Sequence, residues 1–181
     1  IIATIPAALV GVFLDDYIEQ ISQSGGFLGI AFIATAALLF FSQKAKKKDK
    51  TIELMSYADA AVVGVMQGVA VMPGISRSGS TTCAGLIMGV EKESSMRFAF
   101  LMSIPVIMGS AVLGVKDIIT EPAAFDVVPV VVGMVAAGVS GYFAVKFMLN
   151  FFKKRSLNVF AVYVGILGVC ILVDQLFFQK F

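Results

Sequence analysis

Pro73-Gly74-Ile75-Ser76-Arg77-Ser78-Gly79-Ser80-Thr81-Thr82 is a polar run containing one arginine, set between an apolar arm from Ala58 to Met72 and a second from Cys83 to Val90. Pro73 has no amide hydrogen, and Gly74 and Gly79 tolerate positive φ. The helix entering from Ala58 is therefore expected to stop at Pro73, and a new one to start near Ser80. A new helix start points bare N–H groups at the loop, and Ser76, Ser78, Ser80, Thr81 and Thr82 crowd it with hydroxyls. That combination outlines an anion site.

The chain around this loop belongs in a bilayer. Of its 181 residues 59% are hydrophobic and only 14% charged, too apolar for a water-facing domain and arranged in runs of near-spanning length. The formal net charge of +2 is too small to imply nucleic-acid binding, and the cationic clusters between apolar runs read as topology signals. There is no histidine, so this chain by itself supplies no histidine-dependent phosphatase, triad or zinc chemistry. Cys83 and Cys170 lie in apolar runs without partner spacing and are expected to be buried thiols. The chain opens at Ile1 inside an apolar run, as expected for a fragment of a longer protein.

Working outward, Ile1 to Leu14 is an apolar run of about 14 residues, followed by an acidic loop at Asp15, Asp16 and Glu19. Gly25 to Phe41 is a second run, with Gly25 and Gly29 spaced to let another helix approach closely. Lys44, Lys46, Lys47, Lys48 and Lys50 mark the next loop as cytoplasmic. Ser56 and Asp59 have capping-box spacing, so a helix is expected from Tyr57. The arm before the loop is about 16 residues and the arm after it about 11, roughly 24 and 16 Å against a hydrocarbon core of roughly 30 Å. Either the two arms form a re-entrant hairpin over residues 57–90, or both cross the bilayer by unusual shortness. The spans Phe98 to Val115, Val127 to Leu149 and Val159 to Phe178, with the net acidic loop Lys116, Asp117, Glu121 and Asp126 and the basic cluster Lys153, Lys154 and Arg155, place both ends of the 57–90 unit on the cytoplasmic side. Arm length favours the hairpin. The fold class expected is an all-α polytopic membrane protein, and glycine pairs Gly64 with Gly68 and Gly85 with Gly89 are expected to pack the arms tightly against each other or against neighbouring spans.

An arginine near bilayer depth costs at least roughly 2.5 to 3.5 kcal/mol on insertion scales and requires a partner. No neighbouring residue offers Arg77 a carboxylate, since Asp59 and Glu91 stand at the far ends of the arms. A guanidinium forks onto phosphate oxygens, so phosphate is the natural guest. Gly74-x4-Gly79-Ser80-Thr81 approaches the nucleotide P-loop, but Ser80 stands where that motif has lysine and no strand precedes it. Arg97, at the start of a span, reads as an interfacial topology charge. Gln67 is either an interhelical hydrogen-bond link or a site residue.

Gln67-Gly68, the run from Pro73 to Thr81, and Arg97-Phe98-Ala99-Phe100-Leu101-Met102-Ser103-Ile104-Pro105 together resemble the bacterial undecaprenyl-diphosphate phosphatase family, the bacitracin-resistance proteins, over essentially the whole chain. The resemblance implies an inner-membrane enzyme built from two inverted repeats, each with a re-entrant helix pair. Such an enzyme removes the terminal phosphate of an isoprenoid diphosphate carrier used in cell-wall synthesis. It also implies that Ser76, Arg77 and Thr81 fall on active-site positions, with Ser78, Gly79 and Ser80 beside them on the phosphate and Gln67 in support. A divalent cation, magnesium or calcium, is implied too. The family's Glu-x3-Glu and Ser-x-Gly-His motif is absent, and its place lies N-terminal to residue 1. On that expectation the chain alone is inactive and needs the remaining N-terminal part of the protein. The rival readings are a transporter or flippase that binds an anionic lipid headgroup without cleaving it, and a structural membrane subunit in which Arg77 pairs with a partner chain.

Overall fold

The computed structural model describes residues 1–22, 24–44, 49–120 and 127–177, and these are helical with no strand among them. After a 3-10 turn at Ile2–Thr4, the helices are α1 (Ile5–Phe13), α2 (Asp15–Ser22), α3 (Gly25–Ser42), α4 (Tyr57–Val69), α5 (Arg77–Ile87), α6 (Lys92–Thr120), α7 (Val127–Lys154) and α8 (Asn158–Phe177), with a second 3-10 turn at Ile52–Leu54 before α4. Four of them, α3, α6, α7 and α8, contain stretches long and apolar enough to cross a membrane. The chain is thus a polytopic membrane protein. The expected topology charges Lys46, Lys47, Lys48, Glu121 and Asp126, and the last residue of the expected final span, Phe178, lie outside the described residues.

The expected acidic loop is a helix instead. Ile18 N–H donates to the Leu14 carbonyl at 2.9 Å, so the helical hydrogen-bond ladder resumes directly after α1. The helices α6 and α7 likewise run beyond the apolar spans, because helix hydrogen bonding does not stop where hydrophobicity does.

Glycine decides the closest packing. α3 and α8 lie antiparallel, and a Cβ on Gly29 would stand 2.6 Å from Leu172 and 3.2 Å from the Gly168 carbonyl, while one on Gly168 would stand 3.0 Å from the Gly29 carbonyl. At the other end Gln43 joins the start of α8, accepting from Ser156 Oγ at 2.7 Å and from Leu157 N–H at 3.2 Å, and bonding Asn158 through its amide nitrogen. The Gly64–Gly68 pair faces the N-terminal segment rather than the other arm: a Cβ on Gly64 would meet Ala3 backbone at 2.7 Å, and one on Gly68 would meet Pro6 at 3.3 Å. Gly85 packs on Ser95 of α6. Gly89 departs from its expected contact role; its φ of +84° ends the arm as a turn. Cys83 is buried as expected, but Cys170 is exposed, because it lies on the outward face of α8 next to Val169.

α4, the connector 70–76 and α5 form a helical hairpin whose two outer ends meet at Lys50. The Lys50 amide donates to Gly89 O at 3.2 Å and its carbonyl accepts from Glu91 N–H at 2.9 Å, while its ammonium pairs with Asp59 at 3.1 Å. Asp59 also closes the capping box read from the sequence, accepting from Ser56 N–H at 2.9 Å as its own amide donates to Ser56 Oγ at 3.1 Å. The Ser56 amide foremost, then the Ser56 hydroxyl and Lys50, hold the Asp59 carboxyl below its usual range against the opposing effect of burial.

Gly64→Val should lower stability by about 1–3 kcal/mol, the usual range for overpacking, as measured by thermal unfolding in detergent. Gly138→Val, where a Cβ meets nothing within 4 Å, should leave the midpoint unchanged. A depressed folded-state pKa stabilises above the ordinary carboxylate pKa of about 3.9 and stops doing so as pH falls through the lowered value. Asp59→Asn should therefore lower the neutral-pH unfolding midpoint and flatten its decline in acid below about pH 4.

Candidate functional site

The connector's geometry follows from three residues. Gly74 takes φ +81°, and a Cβ there would stand 2.9 Å from Ala31 of α3, so glycine satisfies both the backbone angle and the close approach. Ser76 N–H donates to Thr35 Oγ1 of α3 at 3.3 Å, anchoring the end of the connector to a spanning helix. Ser76 Oγ then accepts from Gly79 N–H at 3.2 Å as the N-cap of α5.

This cap moves the helix start from the expected position near Ser80 to Arg77. Serine is among the strongest N-caps, and its oxygen satisfies the amide three residues on. Gly79 accordingly lies inside the first turn, outside the positive-φ region, with its missing Cβ leaving room for the Ser76 hydroxyl 2.9 Å away. The amides of Arg77 and Ser78 precede the first possible intrahelical acceptor and remain available, at the positive end of the helix dipole.

The loop residues do not all face one way. Arg77 and Ser78 are exposed, and Ser76 and Gly79 are half-buried. Ser80 and Thr81 are buried at 0% and 1% exposure, and Thr81 Oγ1 donates to the Arg77 carbonyl at 2.8 Å. Its hydroxyl thus braces the backbone of the arginine. Gln67 is fully buried on α4. Among the described residues no carboxylate lies within salt-bridge distance of Arg77.

Arg77 stands on a cleft of about 840 Å³ enclosed by α1, the connector and α6. The α1 wall is small-sided, with Ala7, Ala8 and Gly11, and the α6 wall presents Pro105, Val106, Gly109 and Ser110. The cleft therefore sets one cation, at the start of α5, into an otherwise mainly apolar lining. That suits an anion carried on an apolar body. Among the described residues no three carboxylate, histidine or cysteine groups converge on a possible metal site, and the loop's own donors suit an anion rather than a cation.

Two contributors were not singled out by sequence reasoning. Thr35 carried a readable signal, a hydroxyl in the middle of an apolar span. Lys50 did not, because it looked like one more member of a basic cluster.

The profile described as bacitracin resistance protein BacA matches residues 1–170. An undecaprenyl-diphosphatase of Carboxydothermus hydrogenoformans is 46% identical over 178 residues, covering 97% of this chain and 68% of that protein. The one from Methanosphaera stadtmanae is 39% identical over 169 residues, 93% of this chain and 60% of that protein. The chain thus spans about two thirds of the length of these two relatives. A third, from Methanothermobacter thermautotrophicus, is 39% identical over 181 residues and is covered over 98% of its length.

Ser76→Ala should cost about 1 kcal/mol through loss of the N-cap, read as a lower unfolding midpoint. Ser76→Asp keeps the cap but sets a negative charge beside Arg77. It should hold the midpoint near that of the unmodified protein while weakening protection by inorganic pyrophosphate against thermal unfolding.

Proposed function

The chain belongs to the bacitracin resistance protein BacA family, and from that premise we infer that it hydrolyses undecaprenyl diphosphate to undecaprenyl phosphate and inorganic phosphate, recycling the lipid carrier in the bacterial inner membrane. The single observation that carries this reading to the site is Arg77, exposed on the cleft with no carboxylate partner among the described residues. The relatives' names supply the reaction.

In this reading Arg77 grips the terminal phosphate with its two-pronged guanidinium, and the amides of Arg77 and Ser78 add donors at the positive end of α5. The Ser76 and Ser78 hydroxyls orient the group. Thr81 and Ser80 act from beneath, in the body of α5. Water adds to the terminal phosphorus, the bond from that phosphorus to the bridging oxygen breaks, and the lipid monophosphate leaves. Charge that grows on the equatorial and bridging oxygens is stabilised by the arginine and the helix start, the electrostatic contribution central to phosphoryl transfer. The isoprenoid lies along the apolar α6 wall.

We further read the α4–α5 hairpin as re-entrant and as one half of an inverted-repeat pair. Its arms, 13 and 11 residues, measure about 20 and 16 Å, short of a core of about 30 Å, and their outer ends meet at Lys50. The divalent cation implied by the resemblance has no matching cluster among the described residues, and no step is assigned to it. A transporter for an anionic lipid headgroup is not favoured, because the relatives are named for hydrolysis.

The test is phosphate release from undecaprenyl diphosphate by the full-length protein in lipid bilayers. Arg77→Lys keeps the charge but loses the fork and should lower turnover at least about 100-fold with membrane insertion unchanged. Turnover at the unmodified rate in that variant would remove Arg77 from the site, and translocation of the lipid without phosphate release would replace the enzyme with a transporter.

A further inference from the structure

Two polar side chains, Gln67 of α4 and Ser80 in the first turn of α5, are buried away from the phosphate in the reaction just described. Gln67 and Ser80 are both at 0% exposure. Neither Nε2 nor Oε1 of Gln67, nor Oγ of Ser80, has a hydrogen-bond partner among the described residues. Buried polar atoms almost always find a partner, in the protein or in ordered water. Three unpartnered atoms in one short hairpin therefore point to a group they share.

The register of the hairpin sets them at the same level of its two arms. Val63 of α4 and Ala84 of α5 belong to one buried cluster, and the arms pack against each other on either side of the connector. One helical turn nearer the connector, four residues on in α4 and four back in α5, stand Gln67 and Ser80. The opposed groups are complementary, since a hydroxyl both donates and accepts and a primary amide does the same through separate atoms. A direct bond between them engages only one amide atom. The other needs a further partner, and an internal water, which takes two to four polar neighbours, fits that place.

We propose that Gln67 and Ser80 form a buried polar latch, closed through an ordered water, which fixes the first turn of α5 against α4 and so sets where the Arg77 guanidinium stands. Ser80 is well placed for this, because its amide donates to the Ser76 carbonyl at 2.8 Å. A hold on its side chain is a hold on the N-cap, and the N-cap directly precedes Arg77. Gln67 and Ser80 are positioning residues that act through α5 and do not touch the substrate. The latch rests on the reading of Arg77 as the phosphate-binding group and adds what holds that group in place.

The alternative is a glutamine that is merely buried, and it makes the opposite prediction. Replacing an unpartnered buried amide by a side chain of similar volume relieves a cost, so Gln67→Met would then raise the unfolding midpoint. The latch requires it to fall. In the full-length protein, Gln67→Met and Ser80→Ala should each lower kcat about tenfold with KM within about threefold, because a misplaced group loses transition-state contacts. The double variant should be no worse than the weaker single variant, the signature of two residues acting as one unit. Hydrogen exchange without substrate gives a readout independent of activity: amides from 77 to 80 should exchange faster in either single variant, with α8 unchanged. Faster exchange there in a protein that hydrolyses no diphosphate keeps the latch and overturns only the phosphatase reading. Unchanged exchange over 77–80, a raised midpoint in Gln67→Met, or additive losses in the double variant would overturn the latch. If Gln67→Met fails to fold, Ser80→Ala alone decides by the same exchange measurement.

Discussion

A helix that begins in the middle of an apolar protein starts with amides that no preceding turn can satisfy. α5 is that helix, and much of the architecture around it serves to supply its start with partners. Ser76 caps it, Thr35 of a spanning helix holds Ser76, and Gly74 bends the connector so that both contacts are possible. The amides left over at Arg77 and Ser78, together with the guanidinium, make the start of α5 electropositive, and Arg77 brings that charge to the cleft. What would be a defect in a packed helix bundle becomes a place for an anion.

The same constraint explains where glycine and small residues occur. For the hairpin to sit among neighbouring helices, its arms must come close to them. α4 does so through Gly64 and Gly68 against Ala3 and Pro6, and α5 through Gly85 against Ser95. α3, which carries Thr35, is itself held by α8 through Gly29 and Gly168. By contrast α7 is exposed along most of its length, and only its last turns are buried, where Phe152 packs in a cluster with Leu39 of α3, Leu86 of α5 and Ala161 of α8. Its outward apolar face suits hydrocarbon, while Met148 and Phe152 near its end stand beside Ser78 and Gly79 of α5.

At the hairpin's other extremity, Lys50 binds the beginning of α4 and the end of α5 together through two backbone bonds and one ion pair. The ion pair is half exposed, and such pairs contribute little by themselves. Its value here is geometric, since Asp59 is buried and also closes the capping box. The foot of the hairpin is thus closed by polar contacts and its tip opened by a polar loop, with apolar packing between.

Composition and the lengths of the apolar runs determined that this is a helical membrane protein, because a bilayer demands long apolar segments whose backbone is satisfied internally. Local chemistry made the break at Pro73 to Thr82, the Ser56–Asp59 capping box and the lack of a nearby acid for Arg77 legible, since each depends on residues a few positions apart. Tertiary structure decided the rest. It placed the start of α5 at Arg77, because Ser76 could be held by Thr35, a residue 41 positions away. It turned Ser80 and Thr81 inward while leaving Arg77 and Ser78 exposed, Arg77 on the cleft, a division set by which side of α5 meets α4 and α6. The loop quoted at the start is legible as a polar break from sequence; which of its hydroxyls face an anion depends on packing against helices distant in the chain.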